Sequence, residues 1–188
     1  GKYTIVDFRT AGGAAPHTIY VNSSGFLGFF NGSADVTSSS TPMSANTWTH
    51  IAYSRASGTL RIYVNGVQAY SAANTIDYLS SRQCRIGAAV EGIEGVPGSI
   101  SNFRVVKGTA VYTSAFTPPT TPLTAISGTS LLTLQNAAFT DNSTNNFAVT
   151  INGNATVTGN SPFNPVGFWS VQFNGSSNWL AASANTAT

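Results

Sequence analysis

Carboxylates are few in this sequence of 188 residues, and their spacing bears directly on hydrolytic chemistry. The chain contains six Asp and Glu residues. Hydrolysis of a glycosidic bond normally uses two carboxyl groups, roughly 5–10 Å apart, on either side of the bond. Only Glu91 and Glu94 lie close together, in the Gly-rich stretch 90–98. Because a loop of this composition imposes no fixed geometry on two acids, we expect a solvated loop there and no catalytic pair.

The two histidines and the single cysteine form no pattern typical of nucleophilic or metal-assisted catalysis. His50 alternates with Trp48 and Ala52, which predicts a packed, hydrogen-bonded core histidine and not a general base. His17 begins a predicted strand and is expected to be exposed. Cys84 lies in an apolar alternation, which indicates a buried thiol, and one cysteine allows no internal disulfide. No Ser-His-Asp order, His/Cys metal spacing or phosphate loop is present in the sequence. We therefore expect a protein that is not an enzyme.

The overall composition favours a neutral, hydroxyl-rich surface. Charged residues make up 7% of the chain, and eight basic against six acidic residues give a net charge of +2. No cluster of Lys and Arg suggests contact with nucleic acid. No apolar run reaches the length of a membrane span, and no signal peptide opens the chain, so we expect no membrane insertion. This composition is typical of an extracellular or virion surface. The missing initial Met indicates a processed product or a piece of a longer chain.

The elements that would position any site are β-strands. In residues 48–70, apolar Leu60, Ile62 and Val64 alternate with Arg61 and Tyr63, which predicts a strand with one buried face. The dipeptide at 65–66 is Asn-Gly, the strongest short signal for a hairpin, because both central residues of a type I′ turn need positive φ. A second turn at 56–58 returns the preceding strand into this one. The stretch therefore predicts three antiparallel strands.

Several motifs carry a resemblance to a known family. W-T-H-I-A at 48–52 and L-R-I-Y-V-N-G at 60–66 resemble the centre of a laminin G-like domain of the concanavalin A-like superfamily. I-S-N-F-R-V-V-K-G-T-A-V-Y at 100–112, T-S-L-L-T-L-Q at 129–135 and D-N-S-T-N-N-F at 141–147 are similar to laminin G-like repeats of phage virion and tail-fibre proteins. The resemblance covers most of residues 48–163. It implies an all-β fold, a two-sheet antiparallel jelly-roll sandwich.

The end of the chain resembles the beginning of such a domain. F-W-S-V-Q-F-N-G-S-S-N-W-L at 168–180 is similar to its first strand pair. We therefore predict a sandwich at 1–165 that lacks its opening strands, and opening strands of a following or neighbouring domain at 166–188. One explanation is a tandem array with arbitrary ends. The other is strand exchange with a neighbouring copy, against which pairing of this segment with its own body would count. The residues predicted to make the exchange are Phe168, Trp169, Val171, Phe173, Trp179 and Leu180.

The resemblance also implies a calcium site at the rim of the sandwich, bound through oxygen ligands. At the two positions where the family carries Asp in its opening strands, this chain has Asn174 and Asn178, which removes negative charge. Asp141 with Asn142 is the remaining calcium candidate, and an Asx-rich turn is the alternative for these residues. No other cofactor is expected.

Binding of surface glycans would need aromatic platforms at loops. Tyr78, Tyr112 and Trp179 are the aromatic residues least clearly assigned to the core, and core or intersubunit packing is the alternative role for them. The sequence as a whole predicts a non-catalytic structural or adhesion module of an extracellular fibre or virion surface, assembling with neighbouring copies or tandem repeats. The alternatives are a lectin that binds surface polysaccharide and, with less support, a glycoside hydrolase.

Overall fold

The computed structural model describes residues 1–9, 18–38, 42–76, 83–90, 92–163 and 168–183, and these residues form strands and no helix. No helix in this part of the chain is therefore long and apolar enough to cross a membrane. The strands are β1 Lys2–Asp7, β2 Thr18–Asn22, β3 Leu27–Phe30, β4 Asp35–Thr37, β5 Ile51–Ala56, β6 Thr59–Val64, β7 Val67–Ala73, β8 Cys84–Ile86, β9 Pro97–Ile100, β10 Phe103–Val106, β11 Thr129–Thr133, β12 Val149–Asn152, β13 Thr156–Thr158, β14 Ser170–Asn174 and β15 Trp179–Ala182.

The predicted meander is confirmed as the antiparallel sheet β5-β6-β7. Asn65 and Gly66 form its hairpin turn with φ of 49° and 79°, which is the reason the sequence needs Asn-Gly there. The first strand begins at Ile51 and not at Trp48 as the alternation predicted. The cause is local: the backbone N–H of His50 donates to the Asn65 side chain, 2.9 Å away, instead of to the ladder.

One continuous layer of the sandwich is a seven-stranded antiparallel sheet in the order β12-β15-β8-β1-β2-β3-β4. The second layer consists of three smaller sheets, β5-β6-β7, β10-β11 and β13-β14-β9. The all-β antiparallel prediction is therefore confirmed, with a second layer that is divided and not continuous. The edge strand β4 pairs with β3.

The core is divided in the same way as the second layer. One cluster joins the β1, β8, β15 half of the large sheet to β11 and β14, through Ile86, Leu131, Phe173 and Leu180. The other joins β3 to β6 and β7 and is centred on Leu27 and Ile62. Two separate clusters are unusual for one sandwich, because packed layers normally bury a single contiguous core.

The end of the chain pairs with strands that precede it in the sequence. β14 lies between β13 and β9, and β15 lies between β12 and β8, all within one chain. The described strands of the segment 166–188 therefore complete the sandwich of their own chain. The physical reason is burial, since Val171, Phe173 and Leu180 are at most 1% exposed in the first core cluster. In-chain pairing is the observation that counts against exchange between copies.

Candidate functional site

A groove of about 1600 Å³ opens between two sheets of the second layer. Residues 47–55, which include most of β5, form one wall without a gap, and residues 99–112, which include β10, form the other. When consecutive residues line a groove, it is the edge of the strand that faces it, since the two faces of a strand show alternate residues only. Each wall is therefore the edge of a sheet.

Each of the two strands has a neighbouring strand on one side within the described part of the chain. β5 pairs with β6, and β10 pairs with β11, on one side each. The carbonyl of His50 accepts from Asn65 N–H at 2.8 Å, on the β6 side. Because backbone groups alternate in direction along a strand, those of Ile51 and Tyr53 point away from β6. By the same rule, Asn102 N–H donates to the carbonyl of Leu134, at 3.0 Å, and the backbone groups of Phe103 and Val105 point away from β11.

Apolar side chains from both layers form the floor and walls of the groove. Ile5, Ile19 and Val21, on β1 and β2, line its floor and are only partly buried. All four residues of β10 are half-buried, as are Ile51, Ala52 and Tyr53 of β5, so neither strand shows the alternation of a covered strand. The groove therefore separates the two core clusters and leaves part of each without cover.

The charges that line the groove are all positive. Among its described lining residues, Arg55, Arg104 and Lys107 are charged, and none is a carboxylate. The Arg104 guanidinium donates to the carbonyl of Thr124 at 2.9 Å, which holds this side chain at the rim. No sequence pattern marked these residues as a site, because the alternation of 103–105 predicts a half-buried strand and does not indicate which strands lie beside it.

His50 stands at one end of the groove in an aromatic cluster. Its ring contacts Phe116 edge-on at 5.4 Å and Tyr112 at 6.2 Å. Burial lowers the pKa of the imidazole below its ordinary value, and the positive charge of Arg104 lowers this pKa further. Its buried Nδ1 has no hydrogen-bond partner among the described residues. The prediction of a packed histidine agrees with this position, but the expected side-chain hydrogen bond is missing at Nδ1.

Of the three predicted sugar-binding aromatics, the two that the structure describes lie in different places. Tyr112 lines the groove and stacks on Phe116 with ring centroids 3.6 Å apart, which covers one face of its ring. Trp179 lies on β15 with the Arg85 guanidinium 4.1 Å from its ring centroid, and it does not line the groove. Tyr78 lies outside the described residues. Glycan binding by these residues remains a prediction.

The segment 168–180, which was predicted to exchange between copies, contacts other residues of the same chain. Phe168 contacts Phe163 edge-on at 5.9 Å, and the Trp169 carbonyl accepts from the Ser101 hydroxyl at 2.6 Å. The other four predicted exchange residues, Val171, Phe173, Trp179 and Leu180, lie on β14 and β15. The predicted residues are therefore structurally important, but for closing the sandwich within one chain.

Asp141 is the centre of a turn whose hydrogen bonds occupy its carboxylate. One oxygen accepts from the N–H groups of Leu132 and Ser143 at 2.9 Å, and the other accepts from the Ser143 hydroxyl at 2.8 Å and from Phe147 N–H at 3.0 Å. Asp141 is 4% exposed. Asn142 points elsewhere and donates to the Gln135 side chain. Within the described ranges, no group of three or more His, Cys, Asp or Glu side chains could hold a metal ion.

The remaining described carboxylates are also engaged in structural contacts. Asp7 is fully buried and accepts from the Arg9 guanidinium and from Val90 N–H. Asp35 forms an ion pair with Lys2, and Glu94 accepts from the Thr4 hydroxyl at 3.2 Å. Asp77 lies outside the described residues. Glu91, which is close to Glu94 in sequence, also lies outside them. Cys84 is buried as predicted, and burial raises the pKa of its thiol.

Comparison with known proteins gives one match. A family model described as the concanavalin A-like lectin/glucanases superfamily matches residues 2–119, which is more than half of the chain. The matched range includes both walls of the groove and ends before β11. Searches of the curated proteins and of the solved structures returned no match.

Proposed function

Because the chain belongs to the concanavalin A-like lectin/glucanases superfamily, we propose that it is a non-catalytic structural and adhesion module of an extracellular fibre or virion surface. In this proposal the module assembles with neighbouring copies through the outer edges of its large sheet. The superfamily description covers both lectins and glucanases, so the choice between them depends on the residues of this chain.

The observation that carries the proposal is the edge strand β12. It pairs with β15 on one side, and the described strands leave its other side without a partner. Natural proteins usually protect such an edge with charges or proline. β12 reads Val-Thr-Ile-Asn, without either, and Ile151 is 46% exposed. At the opposite end of the same sheet, β4 is also an edge.

Two different edges on one sheet suit assembly into a fibre. Pairing of β12 of one copy with β4 of the next is a heterologous contact, and a heterologous contact that does not close into a ring gives an open filament. Both edges are short, four and three residues, so each contact would be weak alone and would gain strength from repetition. The low charge of the chain, 7% of residues, limits repulsion between copies.

Absence of catalysis is part of the proposal. Its support is that the four described carboxylates, Asp7, Asp35, Glu94 and Asp141, are each engaged in a hydrogen bond or ion pair, and that none lines the groove. A double variant with Glu91→Gln and Glu94→Gln tests whether the chain lacks hydrolytic activity. We expect no release of reducing sugar from a panel of polysaccharides by the unchanged chain. Release that the double variant abolishes would establish a hydrolase instead.

Assembly is tested by sedimentation and electron microscopy of the chain at increasing concentration. We expect wild-type chain to form larger species and filaments, and Ile151→Lys to remain monomeric because a charge on β12 blocks edge pairing. Ile126→Lys is the matched control, since Ile126 is 41% exposed but lies outside the strands. A chain that stays monomeric at every concentration, or equal loss of assembly in both variants, would contradict the proposal.

Carbohydrate binding is the second candidate function. Its structural support is one end of the groove, where Tyr112 and Trp48 are half-buried and the Trp48 indole donates to the Asn160 side chain at 3.3 Å. Half-buried aromatic rings beside amide groups are typical of sugar sites. A glycan array separates the candidates: binding that Tyr112→Ala reduces favours a lectin, and no binding by a chain that assembles favours the structural module.

A further inference from the structure

We propose that Asn152 is a modification site, where the side-chain amide converts spontaneously to a carboxylate and the new charge prevents assembly through the β12 edge. The site itself depends on the geometry of residues 152–153, whereas its effect on assembly rests on the proposed function. Four Asn-Gly pairs occur in the chain, at 31–32, 65–66, 152–153 and 174–175. Their hydrogen bonds distinguish the third pair from the others.

The reaction requires an asparagine followed by an accessible backbone nitrogen. The nitrogen of Gly153, after losing its proton to hydroxide, attacks the side-chain carbon Cγ of Asn152. The Cγ–Nδ2 bond breaks, and the leaving nitrogen takes up a proton and departs as ammonia. Water then opens the five-membered imide at either of its two C–N bonds, which gives aspartate or isoaspartate. The net change is the exchange of water for ammonia, without oxidation or reduction. Glycine favours the attack because it has no Cβ to shield its nitrogen.

In the other three pairs, hydrogen bonds hold the asparagine side chain. The side-chain oxygen of Asn31 accepts from two backbone N–H groups of its own turn, and that of Asn174 accepts from three. The side-chain oxygen of Asn65 accepts from the N–H of His50 at 2.9 Å. Rotation that brings Cγ toward the next backbone nitrogen breaks these bonds, so we expect slow conversion at all three residues.

The side chain of Asn152 has no such restraint. It is half-buried at the end of β12, and none of the hydrogen bonds among the described residues involves it. The backbone of Asn152 is fixed, since this residue pairs with Trp179 of β15. The Asn152 amide can therefore turn toward Gly153 without losing a hydrogen bond.

The backbone nitrogen of Gly153 is directed away from β15. The N–H of Ser183 donates to the carbonyl of Ala148 at 3.2 Å, which makes these two residues a hydrogen-bonded pair. Such pairs alternate along antiparallel strands, so the backbone groups of Asn152 face β15 and the next N–H, that of Gly153, points to the outer edge. The attacking nitrogen therefore lies on the edge at which the proposed assembly occurs.

The fold requires glycine at position 153. The φ angle of Gly153 is 72°, and a Cβ at this position would lie 2.6 Å from Oδ1 of Asn178. A residue with a side chain would shield the backbone nitrogen, but it would clash here. The structure therefore retains the glycine that makes Asn152 reactive.

Conversion places a negative charge at the end of an edge strand. Charged side chains are a common protection of sheet edges against pairing. β4, the opposite edge in the proposed filament, begins with Asp35, so an acid at position 152 adds a second negative charge to that contact. Isoaspartate also lengthens the backbone by one carbon atom, which disturbs the register of β12. We therefore expect chains to lose assembly as Asn152 converts.

Selectivity is tested by peptide mapping with mass spectrometry after incubation of the folded chain in mildly alkaline buffer. We expect Asn152 to convert about fivefold faster than Asn31, Asn65 and Asn174, because at those residues a hydrogen bond must break first. In chain unfolded by urea, the four residues should convert at similar rates, since glycine follows each of them. Conversion of Asn152 in the folded chain that is no faster than at the other three residues would overturn the proposal.

The effect on assembly is tested by sedimentation of Asn152→Asp. Asn65→Asp is the matched control, because aspartate suits the same turn and Asn65 lies between β6 and β7, away from β12. We expect Asn152→Asp to assemble less than wild type, and Asn65→Asp to assemble like wild type. Asn152→Gln forms the corresponding six-membered ring more slowly, so its assembly should survive an incubation that reduces assembly of wild type.

Two results would overturn the effect on assembly. One is equal loss in both aspartate variants, and the other is equal loss of wild type and Asn152→Gln during incubation. A wild-type chain that never assembles would contradict the proposed function together with this effect, whereas the peptide map decides the modification site by itself.

Discussion

At the scale of single residues, the Asp141 carboxylate and the His50 imidazole have structural surroundings. Asp141 has few acidic companions, yet it is buried and accepts four hydrogen bonds that tie β11 to the turn before β12. His50 lies against aromatic rings with an unpartnered Nδ1. Removing one partner of a buried polar group costs more than the bond itself contributes, because the other partner is left unsatisfied. The effects of substitution should therefore be large at Asp141 and dependent on pH at His50.

Asp141→Ala is expected to lower the free energy of unfolding by about 3 kcal/mol, because the substitution leaves buried N–H and O–H donors without an acceptor. Asn142→Ala is the control, and its exposed side chain should change the free energy by less than about 0.5 kcal/mol. Urea unfolding measures both. We also expect calcium to leave the wild-type midpoint unchanged, because both carboxylate oxygens already accept hydrogen bonds; a calcium-dependent rise that Asp141→Ala removes would restore the calcium site.

His50 should make stability depend on pH in a defined direction. Its pKa is lower in the folded chain than in the unfolded chain, where it is about 6.5. Above that value both states carry a neutral ring and stability is full. As the pH falls below it, the unfolded state binds a proton that the folded state does not, so the free energy of unfolding decreases toward the folded pKa. Urea midpoints between about pH 5 and pH 8 should show this decrease in wild type and a smaller one in His50→Leu. Equal slopes would contradict the assignment.

At the scale of elements, the turn between β6 and β7 sets the register of these two strands, and a later segment of the chain packs on this turn. The hairpin of β6 and β7 is held from outside as well, since Phe116 N–H donates to the carbonyl of Gly66 at 3.0 Å. The segment after β10 therefore docks on a turn that has no room for a side chain. The meander supplies one wall of the groove, so its turns contribute to the shape of that site.

Two glycines separate the effects of conformation and contact. Gly66 has φ of 79°, and a Cβ there would lie 1.8 Å from the Phe116 carbonyl oxygen. Gly108 has φ of 82° with nothing within 4 Å of such a Cβ. We expect Gly108→Ala to cost about 1 kcal/mol from the backbone conformation alone. Gly66→Ala should cost about 2 kcal/mol more because of the clash. Thermal and urea unfolding of both variants provide the comparison, and equal losses would show that Phe116 does not dock on this turn.

At the scale of the whole molecule, one chain completes the large sheet and the β13-β14-β9 sheet with its last described segment. β14 and β15 are each bonded on two sides, and their apolar residues belong to the first core cluster. Among the described strands, the segment that was expected to exchange has neighbours on both sides, and β12 lies at the edge of the large sheet. We therefore expect contacts with other chains at β12 and not at β14 or β15.

Cysteine cross-linking distinguishes closure within one chain from exchange. Ser99 and Gln172 are cross-strand partners of β9 and β14, which places their backbones at a separation suited to a disulfide. In a Cys84→Ala background, Ser99→Cys combined with Gln172→Cys should give an intrachain disulfide. Chains with only Ser99→Cys, refolded together with chains with only Gln172→Cys, should give no mixed dimer on a non-reducing gel. Mixed dimers would revive exchange between copies.

The sequence by itself determined the antiparallel β-structure, because alternation of apolar residues and turn chemistry at Asn65 and Gly66 are local properties. It also predicted that Cys84 is buried, and it left an Asx-rich turn and a calcium site as alternatives at Asp141 and Asn142. Only the tertiary structure decided that β14 and β15 insert into their own sheets, and that β5 and β10 line opposite walls of one groove. Strand order depends on contacts between residues far apart in the chain, and no local pattern records which edge of a strand finds a neighbour.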